Sequence, residues 1–455
     1  MPPRRRLPLA PQVLLLYALA CASLRAEEPR YVAIFDNGER HTGDKVDDWF
    51  FADRMPRLNG RNLLDEGNPA RVIYDTQSNL AILGAHLELA NGDLLPGRVE
   101  RYEPASASHV ATLVVRSPLA GANQTVRVRA DAVRRIASST DKTAFAPGFL
   151  ESSDGQRVRA ERVRFAAQGV RGLTASGTVD FGFVELREAH FDVAEPFLAW
   201  RNAIWLDTFE PEQFYFHLHT ASGGRLTVPR ELARGDIEKA SGGASPRFAV
   251  QPLWSLDPLY LFHDDIASAS QLRLREVPLS LFEPVAVEQR SAISHWPWQA
   301  NASLQGEPLR VEELVSDLGL ATHSYTALTF ALPEQAEELF TVVGIDPACR
   351  RGGCARASIH RESASGLEIW RSDFLRGGQS PVRVGPLDVR GAKQLTFVTD
   401  FAHDGRPTGA DPFDIRDFVH WLMPFVRLQP DAWNKFPPRE PDQLMPELAG
   451  WQIAA

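Results

Sequence analysis

The chain has 455 residues, enough for about two to four domains, and its 44% hydrophobic and 24% charged residues are typical of a globular protein. Its 58 acidic residues outnumber its 49 basic ones, which gives a net charge of −9. This balance argues against nucleic-acid binding, because neutralising phosphates requires a concentrated basic surface. No apolar run after the N-terminus is long enough to span a bilayer.

The N-terminus has the pattern of an export signal. Arg4-Arg5-Arg6 precedes an apolar stretch over residues 13–20, and small-residue cleavage sites follow. We therefore predict a signal peptide over residues 1–26 and a secreted or periplasmic protein. One alternative is an uncleaved anchor, although the apolar run is shorter than a spanning helix. Another is lipid attachment at Cys21, which ends an imperfect lipobox.

A strand pattern recurs between residues 31 and 270. Each copy has an alternating strand, a glycine turn, a second strand and later a strand that ends in two apolar residues three positions apart. The copies, the first of them degenerate, open at Tyr31, His86, Phe149 and Phe216. In the second copy the turn is Asn91-Gly92, a strong hairpin signal.

This order resembles small SH3-like or Sm-like barrels, in which five bent strands close around a minimal core. The resemblance implies β-barrel-like regions at residues 27–145, 146–210 and 211–276. Small units of this kind bury their cores better beside a neighbour, so they are typical of arrays and scaffolds.

The sequence contains no recognisable catalytic motif. It has no phosphate-binding glycine loop, no pair of metal-binding histidines on a helix and no nucleophile elbow. A glycosidase would need two carboxylates that converge in a cleft, and no acidic pair stands out. His217 and His219 share one face of a predicted strand, but without a third ligand we interpret them as half-exposed strand residues rather than metal ligands. We therefore predict that the protein is not an enzyme.

The last third of the chain has the pattern of a β-sandwich. Six short apolar or β-branched runs are separated by clusters of Gly, Pro, Asp or Ser, the spacing expected of sandwiches and jelly rolls. The runs are 328–332, 339–343, 355–359, 367–370, 382–384 and 395–398. A two-sheet domain of about 150 residues is large enough to bury its own core.

Four motifs in this segment carry a family resemblance. They are Leu318-Gly319-Leu320-Ala321-Thr322-His323-Ser324, Gly344-Ile345-Asp346, Leu375-Arg376-Gly377-Gly378 and Leu395-Thr396-Phe397-Val398-Thr399-Asp400. With these motifs, residues 277–428 resemble the NPCBM domain, a carbohydrate-binding module found at the ends of secreted glycoside hydrolases. The resemblance implies a galactose-binding-like β-sandwich over residues 277–430 that recognises glycans without catalysis.

The resemblance also implies binding residues in the loops of the sandwich. His323 lies in the family's Gly-x-x-x-His segment, and Asp346 lies in its Gly-Ile-Asp segment. Asp400 and Asp404 belong to its Asp-x-x-x-Asp-Gly turn. These side chains could contact sugar, or the carboxylates could ligate a structural calcium ion if carbonyl oxygens completed the shell. The alternative is that the aspartates cap turns by accepting hydrogen bonds from backbone amides.

Three tryptophans are further candidates for sugar contact, since an aromatic face suits the apolar side of a pyranose ring. Trp370 follows an alternating strand and either stacks on sugar or fills the core. Trp296 and Trp298, which flank a proline, form either an exposed platform or a lid over one end of the sandwich.

Two cysteines remain once the signal peptide is removed. Cys349 and Cys354 flank four residues between two predicted strands, so a disulfide across this hairpin is sterically reasonable and agrees with export. A metal clip is the alternative, although no second Cys/His pair lies nearby. We predict the disulfide.

Together these features predict a secreted, non-catalytic carbohydrate-binding protein. Small β-barrel-like units precede the terminal sandwich, and a Pro-rich tail covers residues 431–455. The first alternative is an extracellular or periplasmic scaffold whose β-domains bind other exported proteins. The second is an accessory part of a glycoside hydrolase system.

Overall fold

The structure, a computed structural model, describes residues 29–48, 56–65, 67–78, 84–106, 109–139, 143–192, 196–204, 214–229, 233–234, 247–293 and 295–432. The predicted signal peptide, Cys21 and nearly all of the Pro-rich tail lie outside these residues. Within them the regular structure is almost entirely β-strand, with one short α-helix, α1 (Pro196–Ile204). The predicted all-β class is therefore confirmed. No helix in the described residues has the length and apolar character that crossing a membrane requires.

The N-terminal part consists of four units that share one strand order, named here unit A (31–75), unit B (86–137), unit C (149–190) and unit D (214–273). In each unit the first strand forms a hairpin with the second and also pairs with the last. Three short strands between them form a separate antiparallel sheet. The repeated order follows the repeat seen in the sequence, whereas the SH3-like closure and the domain boundaries stay predictions.

The strands of units A and B are β1 (Tyr31–Phe35), β2 (Arg40–Gly43), β3 (Val46–Asp47), β4 (Arg57–Leu58), β5 (Arg61–Asn62), β6 (Ala70–Asp75), β7 (His86–Leu89), β8 (Leu94–Pro96), β9 (Arg98–Glu103), β10 (Thr112–Arg116), β11 (Thr125–Arg129) and β12 (Val133–Ala137). Those of units C and D are β13 (Phe149–Ser152), β14 (Arg157–Arg159), β15 (Arg162–Ala166), β16 (Gly169–Thr174), β17 (Gly177–Gly182), β18 (Leu186–His190), β19 (Phe214–Thr220), β20 (Arg225–Pro229), β21 (Ala233–Arg234), β22 (Arg247–Val250), β23 (Leu259–Phe262) and β24 (Ile266–Arg273).

One 12-stranded sheet joins the four units. Its order is β14-β13-β18-β12-β7-β8-β20-β19-β24-β6-β1-β2, so the units follow one another as C, B, D and A. Units C and B join through their last strands, β18 and β12, and units D and A join through theirs, β24 and β6. Units B and D join through their second strands, β8 and β20. Spatial order therefore differs from chain order, and unit A lies beside unit D rather than beside unit B.

The hairpin between β7 and β8 shows why a glycine is needed at its turn. Gly92 has a φ of +90°, a left-handed conformation that favours glycine. A Cβ atom at this position would also lie 2.5 Å from the carbonyl oxygen of Leu281 in the C-terminal domain. Gly92 therefore serves both the turn and the close approach of the two parts of the protein.

The C-terminal domain is a two-layer β-sandwich built from β25 (Glu276–Pro278), β26 (Ala286–Gln289), β27 (Gln299–Ala300), β28 (Leu309–Val311), β29 (Leu314–Ser316), β30 (Gly319–His323), β31 (Thr326–Ala331), β32 (Ala336–Ile345), β33 (Cys354–Arg361), β34 (Glu368–Arg371), β35 (Leu375–Arg376), β36 (Val382–Asp388), β37 (Gln394–Asp400) and β38 (Phe418–Leu428). The first sheet has the order β27-β30-β38-β32-β36, with β25 beside β38. The second has the order β26-β31-β37-β33-β34, with β35 beside β33. β28 and β29 form a separate hairpin.

Large apolar side chains fill the space between the two sheets. Trp421 is fully buried, with its ring centroid 5.1 Å from that of Phe397 in an edge-to-face arrangement. Trp200 of α1 and Tyr215 of unit D belong to the same cluster. The Tyr215 hydroxyl donates a hydrogen bond to the carbonyl oxygen of Glu276 at 2.9 Å. The core of the sandwich thus extends to the residues that connect it to the N-terminal units.

Buried polar contacts also join the N-terminal units to the sandwich. The Arg71 guanidinium of unit A binds the Glu276 carboxylate, and both side chains are buried. The hydroxyls of Ser268 and Ser270 in unit D donate to the buried carboxylate of Asp317. Removing one member of such a buried charged pair leaves the other uncompensated, so these contacts fix how the two parts dock.

The predicted disulfide between Cys349 and Cys354 is absent, and both cysteines are free and buried. Cys349 ends a 3-10 turn and packs into the sandwich core, whereas Cys354 starts β33 and does not belong to that cluster. Burial raises the pKa of the Cys349 thiol to about 12. Disulfide formation requires a thiolate, and this environment disfavours one at neutral pH.

Candidate functional site

The outer face of the second sheet carries the residues of a groove. Successive side chains of a strand point to opposite faces, and β33 shows this alternation clearly. Ala355, Ala357 and Ile359 pack into the sandwich core. The residues that alternate with them along the strand, Arg356, Ser358 and His360, line the groove.

The groove has a volume of about 570 Å³. Its lining residues come from three neighbouring strands, from the residue before β31, from the turn between β33 and β34 and from the loop after β37: Tyr325, Arg356, Ser358, His360, Ala364, Arg371, Val398, Asp400, Phe401, Ala402, His403 and Asp404. Ser358 lies in register with Val398 on one side and with Arg371 on the other. The pairing of β37, β33 and β34 therefore sets the spacing of the groove floor.

Polar groups on the groove floor are held by defined contacts. Arg356 and Asp400 lie in register on neighbouring strands. The Asp400 carboxylate accepts a hydrogen bond from the Ala402 backbone amide at 2.9 Å, which fixes the start of the loop after β37. The Ser358 hydroxyl and the His360 imidazole are hydrogen-bonded at 2.9 Å. The groove thus combines guanidinium and hydroxyl donors with carboxylate acceptors.

Aromatic rings form one wall of the groove. The rings of Phe401 and His403 are stacked, with centroids 4.9 Å apart and an interplanar angle of 19°. Tyr325 lies next to them, 6.2 Å from Phe401 between centroids, and the Arg290 guanidinium covers its ring at 4.1 Å. Such a wall offers flat apolar surface beside hydrogen-bonding groups.

Of the seven predicted binding residues, the structure places two together in this groove. Asp400 and Asp404 both line it, and Asp404 is exposed. The described residues contain no group of three or more His, Cys, Asp or Glu arranged to hold a metal ion. The described residues therefore do not provide a cluster of carboxylates that could ligate calcium.

His323 and Asp346 lie inside the protein rather than in the groove. His323 is 3% exposed, its Nε2 lies 2.7 Å from the carbonyl oxygen of Asp414, and burial lowers the pKa of its imidazole. Asp346 caps a turn by accepting the amide N–H of Ala348 at 2.8 Å. Burial alone would raise the pKa of Asp346, but the neighbouring His420 imidazole holds it below its usual value. Both side chains are buried and make contacts within the protein.

Trp370 lies on the inner face of the second sheet. It is in register with the core residue Ile359, and its ring is 6.3 Å from that of Trp421 in an edge-to-face arrangement. The next residue, Arg371, points to the opposite face and lines the groove. The half-buried Trp370 ring therefore packs against the core.

Trp370→Ala is expected to lower the free energy of unfolding by about 2–3 kcal/mol, because a half-buried indole leaves a partial cavity when it is removed. Urea unfolding followed by tryptophan fluorescence measures this loss. Trp370→Phe, which keeps most of the apolar contact, should lose less. An unchanged unfolding curve for the alanine variant would contradict the placement of Trp370 against the core.

Trp296 and Trp298 both pack against the sandwich core and are half-buried. The ring of Trp296 meets Phe418 edge to face at 5.2 Å between centroids. Trp298 lines a second cavity, between the sandwich and the N-terminal units. This placement corresponds to a lid over the sandwich rather than to an exposed platform.

Sequence reasoning missed most of the groove. Arg356, Ser358 and His360 were visible as the polar residues alternating with Ala355 and other apolar residues in a predicted strand. That signal indicates an outward-facing polar row, but it does not distinguish a groove from an ordinary solvated face. Tyr325 and Phe401 carried no signal, because only the folded loops bring them together.

The two antiparallel layers and their inward-facing apolar residues place the C-terminal domain in the class of two-layer β-sandwiches. More specifically, residues 278–421 match the family model of the NPCBM/NEW2 domain, which is just under a third of the chain. The resemblance predicted for residues 277–428 is thereby confirmed. No curated protein matches the chain.

Solved structures similar to the chain include carbohydrate-binding modules. The CBM51 module of a Clostridium perfringens GH95 protein, in complex with methyl-galactose, is 17% identical with a TM-score of 0.28, over 33% of this chain and 99% of that one. The CBM51-2 and INT domains of Clostridium perfringens ZmpB are 18% identical with a TM-score of 0.29, over 40% of this chain and 36% of that one. The same domains in complex with GlcNAc are 17% identical with a TM-score of 0.29, over 45% and 44%.

Proposed function

We propose that the protein is a secreted, non-catalytic carbohydrate-binding protein that holds a glycan in the groove on the outer face of its C-terminal sandwich. The match to the NPCBM/NEW2 family supports a carbohydrate-binding module. The export pattern of the first 26 residues supports secretion. The single observation that carries the proposal is that a stacked aromatic wall and a polar floor meet in one groove.

The groove residues divide the recognition of a sugar between them. The faces of Tyr325 and His403 take the apolar side of a pyranose ring. Arg356 and Arg371 donate hydrogen bonds to its hydroxyl and ring oxygens, and the Asp404 carboxylate accepts from its hydroxyls. A neutral saccharide fits this floor best, since the two arginines are matched by the two aspartates that line the groove.

Binding at a single groove is expected to be weak. Each hydrogen bond to a hydroxyl contributes only about 0.5–1.5 kcal/mol net of water, and the groove is open to solvent along one side. Several copies acting on a repeating glycan would strengthen binding through effective concentration. Such a module keeps its protein on a polysaccharide surface rather than sequestering a free sugar.

Arg356→Ala is expected to weaken glycan binding about tenfold, because one charge-assisted hydrogen bond of about 1.5 kcal/mol is lost while the fold is unchanged. A glycan array with the full chain identifies the ligand, and titration calorimetry of wild type and variant measures the change. The matched control is Arg171→Ala, which removes an exposed arginine from unit C, far along the chain from the groove.

The outcomes separate this function from its main alternative. Binding that is competed by a free monosaccharide and weakened only by Arg356→Ala supports the groove. A lack of binding to every glycan on the array, together with capture of another exported protein, would favour a scaffold. One observation gives that alternative a surface, since Val287 on the edge strand β26 and Val285 just before it are 47% and 55% exposed.

A further inference from the structure

A second cavity lies between the long sheet of the N-terminal units and the sandwich. Its volume is about 490 Å³, within the range of small-molecule sites. Units B and D contribute Arg134, Arg135 and Arg225 to its wall. The sandwich contributes Phe282 and Trp298 among others.

Strand register places three charged residues and one leucine in a row that faces this cavity. Arg135 pairs with Glu88, Glu88 with Leu94, and Leu94 with Arg225, across the four adjacent strands β12, β7, β8 and β20. Residues directly opposite on neighbouring strands share one face of a sheet. All four line the cavity, so the row faces the sandwich.

Two of the three arginines are partnered by carboxylates. Arg134 lies 3.2 Å from Glu283 through Nη2 and 3.5 Å from Glu88 through Nε. Arg135 lies 3.4 Å from Glu88 and 3.6 Å from Glu188, both through Nε. These ion pairs balance the part of the cavity near β12.

Arg225 has no such partner. Its Nε is buried without a hydrogen-bond acceptor, and among the described residues no carboxylate forms an ion pair with its guanidinium. Burial lowers the pKa of Arg225, and the charges of Glu88 and Asp317 only partly oppose this effect. The residue as a whole is half-buried, so its guanidinium lies at the cavity wall without a carboxylate partner. A partly desolvated cation in such a position favours an anion in the cavity that it faces.

We propose that this interdomain cavity binds a carboxylate-bearing saccharide, with its carboxylate on Arg225 and its sugar ring against Trp298 and Phe282. The planar guanidinium matches a carboxylate in a two-point contact. The two aromatic side chains supply the apolar surface that a pyranose ring requires. The site is separate from the groove of the second sheet, and the inference does not depend on glycan binding there.

Glucuronate, glucose, inorganic phosphate and sulfate are the probes that test this proposal, added singly to the full chain in titration calorimetry. Wild-type protein is expected to bind glucuronate and to bind glucose at least about tenfold more weakly, because glucose lacks the carboxylate. Arg225→Met is expected to abolish glucuronate binding. Arg171→Met, at an exposed arginine of unit C, should bind glucuronate as the wild type does.

The stability of the ligand-free variants is the second measurement, because it shows whether a loss of binding reflects a loss of folding. Without ligand, Arg225→Met should be about as stable as the wild type, because a half-buried arginine without a carboxylate partner is replaced by an apolar side chain of similar length. Arg225→Gln serves if the methionine variant does not fold. Unchanged glucuronate binding in the Arg225 variants would overturn the site, as would equal binding of glucose. Binding of phosphate or sulfate as tight as that of glucuronate would overturn the assignment to a carboxylate sugar.

Discussion

Replacing Trp421 with alanine is expected to lower the free energy of unfolding by about 4 kcal/mol, because removal of a fully buried indole leaves a large cavity. Trp421 is fully buried on β38, the central strand of the first sheet. Its ring meets Phe397 and Trp370 edge to face, at 5.1 and 6.3 Å between centroids. Its indole N–H also donates to the hydroxyl of Thr399 at 3.4 Å, so truncation removes packing and one buried hydrogen bond together.

Urea unfolding monitored by circular dichroism measures this loss. Trp421→Phe is the matched control, because it keeps an aromatic ring in the core and should lose clearly less stability. Because buried contacts join the sandwich to the N-terminal units, the alanine variant should also show weaker cooperativity between the two parts. A loss below about 1 kcal/mol would show that the core does not depend on this ring.

Asp417→Asn is expected to change the pH dependence of stability. The Asp417 carboxylate is fully buried and accepts hydrogen bonds from the Cys354 amide at 2.6 Å and from the Ser324 hydroxyl at 3.0 Å. Arg406 lies 3.2 Å away. Burial raises the pKa of Asp417 to about 7, and the donors around it oppose this effect only in part.

The direction in which stability changes with pH follows from proton binding. Between about pH 4 and pH 7 folded Asp417 keeps a proton that the unfolded chain has released, so the contribution of Asp417 to wild-type stability falls as the pH rises through this interval. The fall attributable to Asp417 is at most about 4 kcal/mol, and it ends above the folded pKa. The asparagine variant lacks this contribution, so the stability difference between wild type and variant should change in favour of the variant from pH 4 to pH 8.

Thermal unfolding of both proteins across that pH range measures the difference, which cancels the contributions of all other titrating groups. Asp404→Asn, at an exposed groove residue, is the matched control and should follow the wild type. Parallel curves for wild type and Asp417→Asn would show that the carboxylate titrates at an ordinary pKa.

Local patterns were sufficient to predict most of the strands. The alternation in β7, the turn at Asn91-Gly92 and the short apolar runs of the sandwich are set by neighbouring residues, so they are visible in the sequence. The recurrence of one strand order at Tyr31 and three later positions follows from the same signals. The way the units join could not be predicted, because pairing between β8 and β20 depends on edges that lie far apart in the chain.

The candidate groove was predicted less well than the fold. Asp400 and Asp404 were found because a family motif marks their turn, but the same kind of motif also pointed to His323, which is buried. Motif position alone does not report burial. The position of Trp370 could not be predicted for a different reason. Its register with Ile359 determines which face of the sheet it occupies, and register is set only when the strands assemble.

The placement of unit A beside unit D has a consequence for the newly made polypeptide. Tyr74 on β6 pairs with Ser268 on β24, so unit A emerges from the ribosome long before its neighbour exists. Until then β6 presents an open hydrogen-bonding edge that invites mispairing with other chains. A holding chaperone that delays compaction until residue 273 has been synthesised would raise the yield of correctly folded protein, and chains truncated within unit D should aggregate.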